Sequence, residues 1–323
     1  MNTIPLGGTG IKITPIGLGC WQFSDAVGFA KYFWPALPGE TMREIVRICL
    51  EGGVNWFDTA EVYGRGASER ALAASLKTLD VKPGSVVIAT KWLPALRTAR
   101  SLNKTIGERE QALSPYPIDL HQVHMPFSFS SIKKQMNAMA DLLAEKKIKA
   151  VGVSNFSATQ MVKAHRALQK RGLVLASNQM RYHLLDRSIE HNGVLEAARD
   201  LGITIIAYSP LAQGILTGKF HDNPELIGKR PFFRRKSRFF QPAGLARTAP
   251  LIDLLKQIAG AHQVSPAEVS IAWLISRHRG LVAAIPGATK PDHARLNVKA
   301  GALKLTEEEI ARIDAESLRV VMR

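Results

Sequence analysis

Four side chains that carry acid–base chemistry lie at or just beyond the ends of three apolar segments. Asp58 follows a strand-like run and Tyr63 lies five residues further on, while Lys91 and His124 end two later runs. In a β/α protein, the carboxyl ends of parallel strands and the loops after them form the active-site mouth. We therefore expect the four side chains to lie close together.

These residue types suit the addition of hydride to a carbonyl group. A tyrosine hydroxyl has an ordinary pKa of ~10, and a neighbouring buried lysine would pull the pKa of Tyr63 down. Asp58 would pair with Lys91, so that neither charge is buried alone. His124 would donate a hydrogen bond to the carbonyl oxygen. The pattern predicts Tyr63 as the general acid.

Each of the four residues also has an ordinary structural interpretation. Asp58 alone could cap a turn, and Tyr63 could be a half-buried tyrosine without a function. Lys91 could be a solvated charge at a strand end, and His124 a hydrogen-bonded core histidine. The coincidence of four such placements favours the active-site interpretation.

The rest of the chain alternates between strands and helices. We predict a hairpin from residues 3–6 and 11–13, then eight short apolar strands at Ile16–Trp21, Val54–Phe57, Ser85–Lys91, Ile118–His124, Ile148–Val153, Leu173–Asn178, Ile203–Ala207 and Leu281–Ile285. Helices are predicted at Thr41–Glu51, Ser68–Leu79, Ser101–Leu113, Ser131–Lys146, Ser157–Gln169, Ile189–Leu201, 250–261, 266–277 and Pro291–Ala300, and a capped C-terminal helix at Thr306–Leu318.

Eight such units in 323 residues predict the α/β class: a (β/α)8 TIM barrel with an N-terminal β-hairpin and a C-terminal accessory helix. We expect residues 1–323 to form a single domain. No Gly-x-Gly-x-x-Gly motif follows the first strand, which counts against a dinucleotide-binding open sheet.

The composition is that of a globular protein, with 46% hydrophobic and 22% charged residues. No apolar run approaches the ~20 residues of a membrane span, and no signal peptide is recognised. Cys20 and Cys49 are too few for a disulfide framework or a zinc cluster, and no metal site is expected. We expect a cytoplasmic protein that is not inserted in a membrane.

Three segments of the chain resemble the motifs of the aldo-keto reductase family. Asn55–Gly64 is similar to the segment around that family's catalytic Asp and Tyr, Thr90–Trp92 to its lysine segment and Ile118–His124 to its histidine segment. The resemblance extends over essentially the whole chain. It implies that Asp58, Tyr63, Lys91 and His124 form the catalytic tetrad of an NADPH-dependent carbonyl reductase.

The resemblance also implies where NADP(H) binds. Ser154, Asn155 and Gln179 would hold the nicotinamide carboxamide, Tyr208 would stack on its ring, and Lys290 would meet the 2′-phosphate. His293 lies where the family often has arginine, and Leu296 where it often has glutamate. The full set of implied cofactor positions is Gly19, Cys20, Trp21, Asp58, Ser154, Asn155, Gln179, Tyr208, Ser209, Pro210, Leu211, Gln213, Gly214, Lys219, Ile285, Gly287, Ala288, Thr289, Lys290, His293 and Asn297.

We expect a small-molecule carbonyl substrate in an apolar pocket. Its predicted lining is Trp21, Trp34, Tyr63, Trp92 and His124. The alternative is an NADPH-binding regulatory subunit that senses redox state, turns over slowly and docks on a partner protein. The sequence leaves the oligomeric state open.

A basic-aromatic segment, residues 229–240, accounts for part of the formal net charge of +16. It could be a clamp over the cofactor or substrate, a solvated surface loop, or a patch that docks on a membrane or nucleic acid. The segment has no recognised nucleic-acid-binding motif, and we expect no nucleic-acid partner.

Overall fold

The computed structural model describes residues 1–25, 36–231 and 235–322. Its ten strands are β1 Ile4–Pro5, β2 Lys12–Ile13, β3 Leu18–Gly19, β4 Trp56–Asp58, β5 Val87–Trp92, β6 Ile118–Val123, β7 Ile148–Ser154, β8 Leu175–Arg181, β9 Thr204–Tyr208 and β10 Val282–Ala284. β1 and β2 pair antiparallel, as the predicted hairpin requires, and β3 to β10 form one parallel sheet in chain order.

The parallel sheet closes on itself. Ile16 bridges Ala284 and Gly19 bridges Gly287, so the β3 segment pairs with the β10 segment as well as with β4. A Cβ atom at Gly19 would lie 2.8 Å from the Ile285 carbonyl oxygen. The glycine is therefore required by the close approach of these two segments. The sequence-based prediction of a (β/α)8 barrel is confirmed.

The barrel interior is packed with one tryptophan, several alanines, and the larger aliphatic residues Leu120 and Ile206. Trp56, with its Nε1 donating to the Thr14 carbonyl at 2.8 Å, packs among alanines 89, 150, 176 and 283. Leu6 and Ile13 of the hairpin segment join this cluster and close the amino-terminal end of the barrel. The carboxyl end is left for polar side chains.

The helices pack around the sheet and are amphipathic or buried. They are α1 Gly39–Glu51, α2 Ala67–Thr78, α3 Arg100–Leu113, α4 Ile132–Ala144, α5 Ala158–Gln169, α6 Val194–Asp200, α7 Lys219–Asp222, α8 Pro242–His262, α9 Pro266–Arg277, α10 Pro291–Ala300 and α11 Glu307–Met322. In the described parts of the chain, no helix is long and apolar enough to cross a membrane.

Most predicted boundaries differ from the structure by one to four residues, and three differences have a clear local cause or are larger. The predicted first strand includes Trp21, which begins a short 3-10 helix, Trp21–Phe23. The predicted helix Ile189–Leu201 is a 3-10 turn, Ser188–Glu190, followed by α6, because Gly193 adopts a φ of +80° between them. The helix predicted from residue 250 begins eight residues earlier, and Pro250 lies inside α8.

The C-terminal helix begins with the expected capping box. The Thr306 backbone N–H donates to Glu309 Oε2 at 2.8 Å, and the Glu309 N–H donates to Thr306 Oγ1 at 3.1 Å. The helix extends to Met322 and packs against α8.

Candidate active site

Asp58 and Lys91 form a buried ion pair at the carboxyl ends of β4 and β5. Lys91 Nζ donates to Asp58 Oδ1 and, at 2.8 Å, to the Thr59 carbonyl. The second carboxylate oxygen accepts from Gln122 Nε2 at 3.1 Å and Gln179 Nε2 at 2.9 Å. Burial is the largest influence on the pKa of Lys91 and acts to lower it, but the charges of Asp58 and Tyr63 and the hydrogen bonds to them together outweigh burial, and the pKa is raised. The lysine is therefore a permanent cation at the base of the site.

Tyr63 lies above this ion pair. Its hydroxyl is 3.5 Å from Lys91 Nζ, which also lies 5.0 Å from the centre of the tyrosine ring. Burial raises the pKa of Tyr63, while the charge of Lys91 acts in the opposite direction without cancelling it. The net lowering expected from the sequence is thus wrong, because burial outweighs the lysine. Tyr63 holds its proton at neutral pH.

His124 completes the group of four at the end of β6. Its ring makes an edge contact with Tyr63, with ring centres 5.7 Å apart. Burial, and then the charge of Lys91, lower the pKa of His124 to about 3. Nδ1 is buried without a hydrogen-bond partner. A neutral imidazole next to Tyr63 can donate one hydrogen bond from its other nitrogen to a bound oxygen atom.

The residues assigned to the nicotinamide lie together beside the four. Ser154 Oγ donates to the Gln179 carbonyl at 3.0 Å, and Asn155 Nδ2 donates to Ser154 Oγ at 3.0 Å. The Tyr208 hydroxyl donates to Asn155 Oδ1 at 2.9 Å, and this bond fixes the orientation of the tyrosine ring. Asn155 and Ser209 have positive φ angles of 61° and 55°.

A turn with left-handed backbone follows β9 and Tyr208. Ala212, Gln213 and Gly214 have successive φ angles of 47°, 58° and 98°. Arg230 Nη1 donates to the Gln213 carbonyl at 3.0 Å, and its guanidinium lies over the rings of Phe220 and Phe240. Part of the basic-aromatic segment is therefore packed onto the predicted cofactor loop, as a clamp requires. Residues 232–234 of the segment lie outside the described residues.

Cations cluster near the start of α10. Burial, then the charges of Lys219 and Lys290, lower the pKa of His293. His293 Nδ1 lies 3.2 Å from Thr289 Oγ1, and Asn297 Nδ2 donates to the Gly287 carbonyl at 3.5 Å. The structure thus brings together Lys219 from the loop after β9 and the predicted adenosine-end residues after β10.

Several predicted site residues have roles in packing. The Cys20 side chain is completely buried in the core between sheet and helices, and burial raises the pKa of its thiol. Ile285 and Ala288 are buried in hydrophobic clusters as well. Trp21, in contrast, lies beside Tyr63 with ring centres 6.1 Å apart. Its role in lining the substrate pocket stays a prediction.

The assignment of Trp92 to the substrate pocket is wrong. Side chains alternate along β5, so Lys91 points into the barrel and Trp92 points toward the helices. Its indole is 1% exposed, and Nε1 donates to Ser101 Oγ of α3 at 3.0 Å. The predicted pocket residue Trp34 lies outside the described residues.

Comparison with known proteins decides the family. The model of the Aldo/keto reductase family matches residues 15–317. The chain belongs to the aldo/keto reductase family. This is a family of oxidoreductases that use a nicotinamide cofactor, and a small-molecule carbonyl substrate fits such a protein.

Some relatives of this aldo/keto reductase are named for a specific activity, and others are named only as oxidoreductases. An uncharacterized oxidoreductase of Mycobacterium bovis is 34% identical over 95% of this chain and 90% of its own. The NADH-specific methylglyoxal reductase of Escherichia coli is 30% identical over 98% of this chain and 99% of its own. The solved structure of a glycerol dehydrogenase from Gluconobacter oxydans has a TM-score of 0.83 at 26% identity and covers 99% of this chain and 96% of its own.

Sequence reasoning missed a buried charge network behind the four catalytic candidates. Glu61, two residues before Tyr63, accepts from the Leu93 backbone N–H at 2.6 Å, from Arg97 and, at 2.9 Å, from Arg109. Arg109 also lies 2.9 Å from Glu69, which is completely buried. The network joins the loop that carries Tyr63 to the loop after Lys91. Nothing in the sequence indicates that Arg109, in a predicted helix, would contact Glu61 and Glu69, which lie before and after Tyr63.

Buried neutral histidines should make the stability of this aldo/keto reductase sensitive to acid. Burial, then the charge of Arg109, lower the pKa of His121 to about 3, whereas an unfolded histidine titrates near ~6.5. Below that pH only the unfolded chain gains a proton, so stability present above pH ~6.5 falls as the pH approaches 3. We expect the free energy of unfolding to fall by about 2 kcal/mol from His121 alone when the pH is lowered from 7 to 5.

This expectation is measured by urea denaturation at the two pH values. His121→Gln should flatten the pH dependence whatever its effect on stability at pH 7, while the exposed control His191→Gln should not. Burial also lowers the pKa of His183 and His278 to about 4, so part of the dependence remains in the variant. An unchanged slope in His121→Gln would contradict the assignment.

Proposed function

We propose that this protein is an NADPH-dependent carbonyl reductase in which Tyr63 is the general acid. The observation that carries the proposal is the arrangement of four groups at one barrel mouth: the Asp58–Lys91 ion pair, a protonated Tyr63 within 3.5 Å of Lys91, and a neutral His124 against the Tyr63 ring. A metal is not required by this set, because the proton and the hydrogen bond come from side chains.

Each of the four residues has one task in this mechanism. His124 orients the substrate carbonyl by donating a hydrogen bond to its oxygen atom. Tyr63 gives its hydroxyl proton to that oxygen as negative charge develops there. Lys91 stabilises the phenolate that remains, and Asp58 holds Lys91 in position through Oδ1. Gln122 and Gln179 fix the carboxylate from the other side.

The residues present fit a nicotinamide cofactor. NADPH, when bound, supplies the hydride. Asn155, held between Ser154 and Tyr208, offers an amide to the nicotinamide carboxamide, and the Tyr208 ring offers a flat apolar face for the nicotinamide ring. Gln22 Oε1, from the turn after β3, is buried without a partner next to Gly287, so an acceptor that a ligand donor can satisfy lies beside the adenosine-end segment.

The preference for NADPH over NADH rests on charge. Burial lowers the pKa of His293, and the charges of Lys219 and Lys290 lower it further against the opposing charge of Asp292, so both ammonium groups lie near His293 at the start of α10. Among the described residues, Lys290 forms no ion pair with a carboxylate. A 2′-phosphate would supply the missing negative charge, and ammonium groups and helix N-termini are common phosphate ligands. The Escherichia coli relative is named NADH-specific, so this preference requires a direct test.

Steady-state oxidation of NADPH and NADH against a panel of aldehydes and ketones tests the function. We expect turnover with both aromatic and aliphatic aldehydes and a higher kcat/KM for NADPH. If NADPH binds tightly but none of the carbonyl compounds is reduced, the catalytic proposal fails and the regulatory alternative gains. If neither cofactor binds, the cofactor assignment itself is wrong.

Lys290→Gln tests the phosphate contact. We expect the KM for NADPH to rise about tenfold, since a charged contact to phosphate contributes on the order of 1.5 kcal/mol. The KM for NADH and the kcat with either cofactor should change less than twofold. Lys299→Gln, at the other end of the same helix, is the matched control. An equal rise for both cofactors would show that Lys290 does not contact the 2′-phosphate.

A further inference from the structure

Glu61 continues the hydrogen-bond ladder between β4 and β5 with its side chain. Just after β4 ends, the Thr59 backbone N–H donates to the Ala89 carbonyl at 2.8 Å. The Glu61 N–H then donates to the Lys91 carbonyl at 3.2 Å, which is the next step of a parallel ladder. The step after that would be a bond from the Leu93 N–H to the Glu61 carbonyl. The Leu93 N–H donates to Glu61 Oε1 at 2.6 Å instead, so a carboxylate oxygen takes the place of a backbone carbonyl.

The Glu61 backbone carbonyl is used by the loop that carries the tyrosine. It accepts from the Gly66 N–H at 2.9 Å, and this bond closes the turn that contains Tyr63. The turn leads the chain away from the sheet and leaves the Tyr63 hydroxyl 3.5 Å from Lys91 Nζ. Because the turn occupies the carbonyl, only the side chain of Glu61 is left to accept from Leu93 and to keep the loop attached to the segment after β5.

Two arginines fix the Glu61 carboxylate. Arg97, in the loop after β5, donates to Oε1 and, at 3.1 Å, to the Leu93 carbonyl. Arg109 of α3 donates to Oε2 at 2.9 Å and is itself held by Glu69 of α2, also at 2.9 Å. The Glu61 side chain is 9% exposed, and its two cations offset the cost of removing it from water. Both oxygen atoms are bonded, so any rotation of the carboxylate breaks one of these bonds.

The position of Glu61 relates it to both partners in the proposed proton transfer. Glu61 lies two residues before Tyr63, and Leu93 lies two residues after Lys91. The attraction between the lysine and a developing phenolate falls with their separation, so this separation decides how well the lysine stabilises the charge. The ion pair with Asp58 fixes the lysine. The tyrosine depends on its own loop, which Glu61 attaches to the segment that follows the lysine.

We propose that Glu61 is a positioning residue for proton transfer: its carboxylate, held by Arg97 and Arg109, sets the distance between the Tyr63 hydroxyl and Lys91 Nζ. This inference rests on the proposed carbonyl reductase function and deepens it. A displacement of about 1 Å in a reacting group can lower a rate roughly a hundredfold. Loss of the Glu61 carboxylate should therefore lower kcat, whereas binding of the substrate and of NADPH does not depend on this distance.

Two substitutions of Glu61 test the proposal by steady-state kinetics. Glu61→Gln keeps the size of the side chain but loses the charge and one acceptor oxygen. Glu61→Asp keeps the charge for the arginines, and thus the fold, but is one methylene group too short to reach Leu93 and Arg109 together. In each variant we expect kcat for aldehyde reduction to fall at least tenfold, with the KM of the aldehyde and the affinity for NADPH within threefold of the native values.

The matched control is Glu108→Gln, which removes an exposed carboxylate that lies 3.4 Å from the same arginine. Its kcat should stay within twofold of the native value, because the contacts of Glu61 are left intact. A kcat within threefold of native in both Glu61 variants would overturn the proposal. So would a rise in the KM of the aldehyde as large as the fall in kcat.

Nuclear magnetic resonance separates positioning from a purely structural role. The chain has only five tyrosines, so the ring-carbon signal of Tyr63 in protein with carbon-13-labelled tyrosine can be assigned by its absence from Tyr63→Phe. The signal should shift in Glu61→Gln and Glu61→Asp and keep its position in Glu108→Gln. A signal that does not move in either Glu61 variant would overturn the proposal even if kcat falls, because the hydroxyl would then be undisturbed.

Failure of this inference and failure of the proposed function give different results. A native protein that reduces aldehydes, with Glu61 variants that are equally active, overturns the positioning role and leaves the carbonyl reductase function standing. If the native protein reduces no carbonyl compound, the proposed function fails, and the Tyr63 signal alone then decides. A shift in the Glu61 variants supports placement of the hydroxyl by Glu61, and an unshifted signal overturns it.

Discussion

Tyr63→Phe is expected to lower kcat for carbonyl reduction by two to four orders of magnitude, the usual contribution of a positioned general acid. The substitution removes only the hydroxyl that lies 3.5 Å from Lys91 Nζ. Phenylalanine keeps the ring, and with it the contacts to Trp21 and His124. Binding of NADPH and the thermal unfolding midpoint should therefore remain close to those of the native protein.

The measurement is NADPH oxidation at saturating aldehyde, with cofactor affinity determined separately by fluorescence. Tyr116→Phe is the matched control, since its hydroxyl donates to the Val81 carbonyl at 2.9 Å and it lies before β6, at the opposite end of the barrel. A kcat for Tyr63→Phe within threefold of the native value would exclude Tyr63 as the proton donor. His124 could not act as the proton donor in place of Tyr63 at neutral pH, because its pKa is lowered to about 3 and its imidazole is neutral.

The strands and the four catalytic candidates were predictable because their signals are local. An apolar run of four to seven residues that ends in Asp58, Lys91 or His124 is visible in the sequence, and closure of the barrel brings such ends together. The direction of a side chain at a strand end was less predictable. Lys91 and Trp92 are neighbours, yet one faces the catalytic mouth and the other faces Ser101 of α3, and which one does so depends on the register of β5.

Interactions between distant segments left no signal in the sequence. Glu61 and Arg109 are 48 residues apart, and Arg187 and Asp314 are 127 residues apart. Each of these side chains would ordinarily be read as a solvated surface charge. Their burial becomes apparent only when the helices are placed around the barrel. The net rise in the pKa of Tyr63 has the same origin, because the degree of burial of a residue after a strand is set by the surrounding loops.

Arg187 holds the loop after β8 to the C-terminal helix, and its loss should strongly destabilise the fold. It is 2% exposed and donates to both carboxylate oxygens of Glu190, at 2.8 and 2.7 Å. It also donates to the Asp314 carbonyl at 3.1 Å, and its guanidinium lies 5.2 Å from the Trp273 ring. Burial is the largest influence on the pKa of Glu190 and acts to raise it, but the hydrogen bonds from Arg187 and Tyr182 and the charge of Arg187 together outweigh burial, and the pKa is lowered.

Arg187→Met keeps most of the side-chain volume and removes the charge, so Glu190 is left as a largely buried carboxylate without its cation. We expect a loss of about 3–5 kcal/mol in unfolding free energy at pH 7, measured by guanidinium denaturation. Adding Glu190→Gln to this variant should recover part of the loss, because it removes the unpaired charge. The matched control, Arg319→Met, breaks an exposed ion pair on α11 and should change stability by less than about 0.5 kcal/mol. If Arg187→Met costs no more than this control, the C-terminal helix is held mainly by apolar packing against α8 and α9, and the buried ion pairs contribute specificity of docking instead of stability.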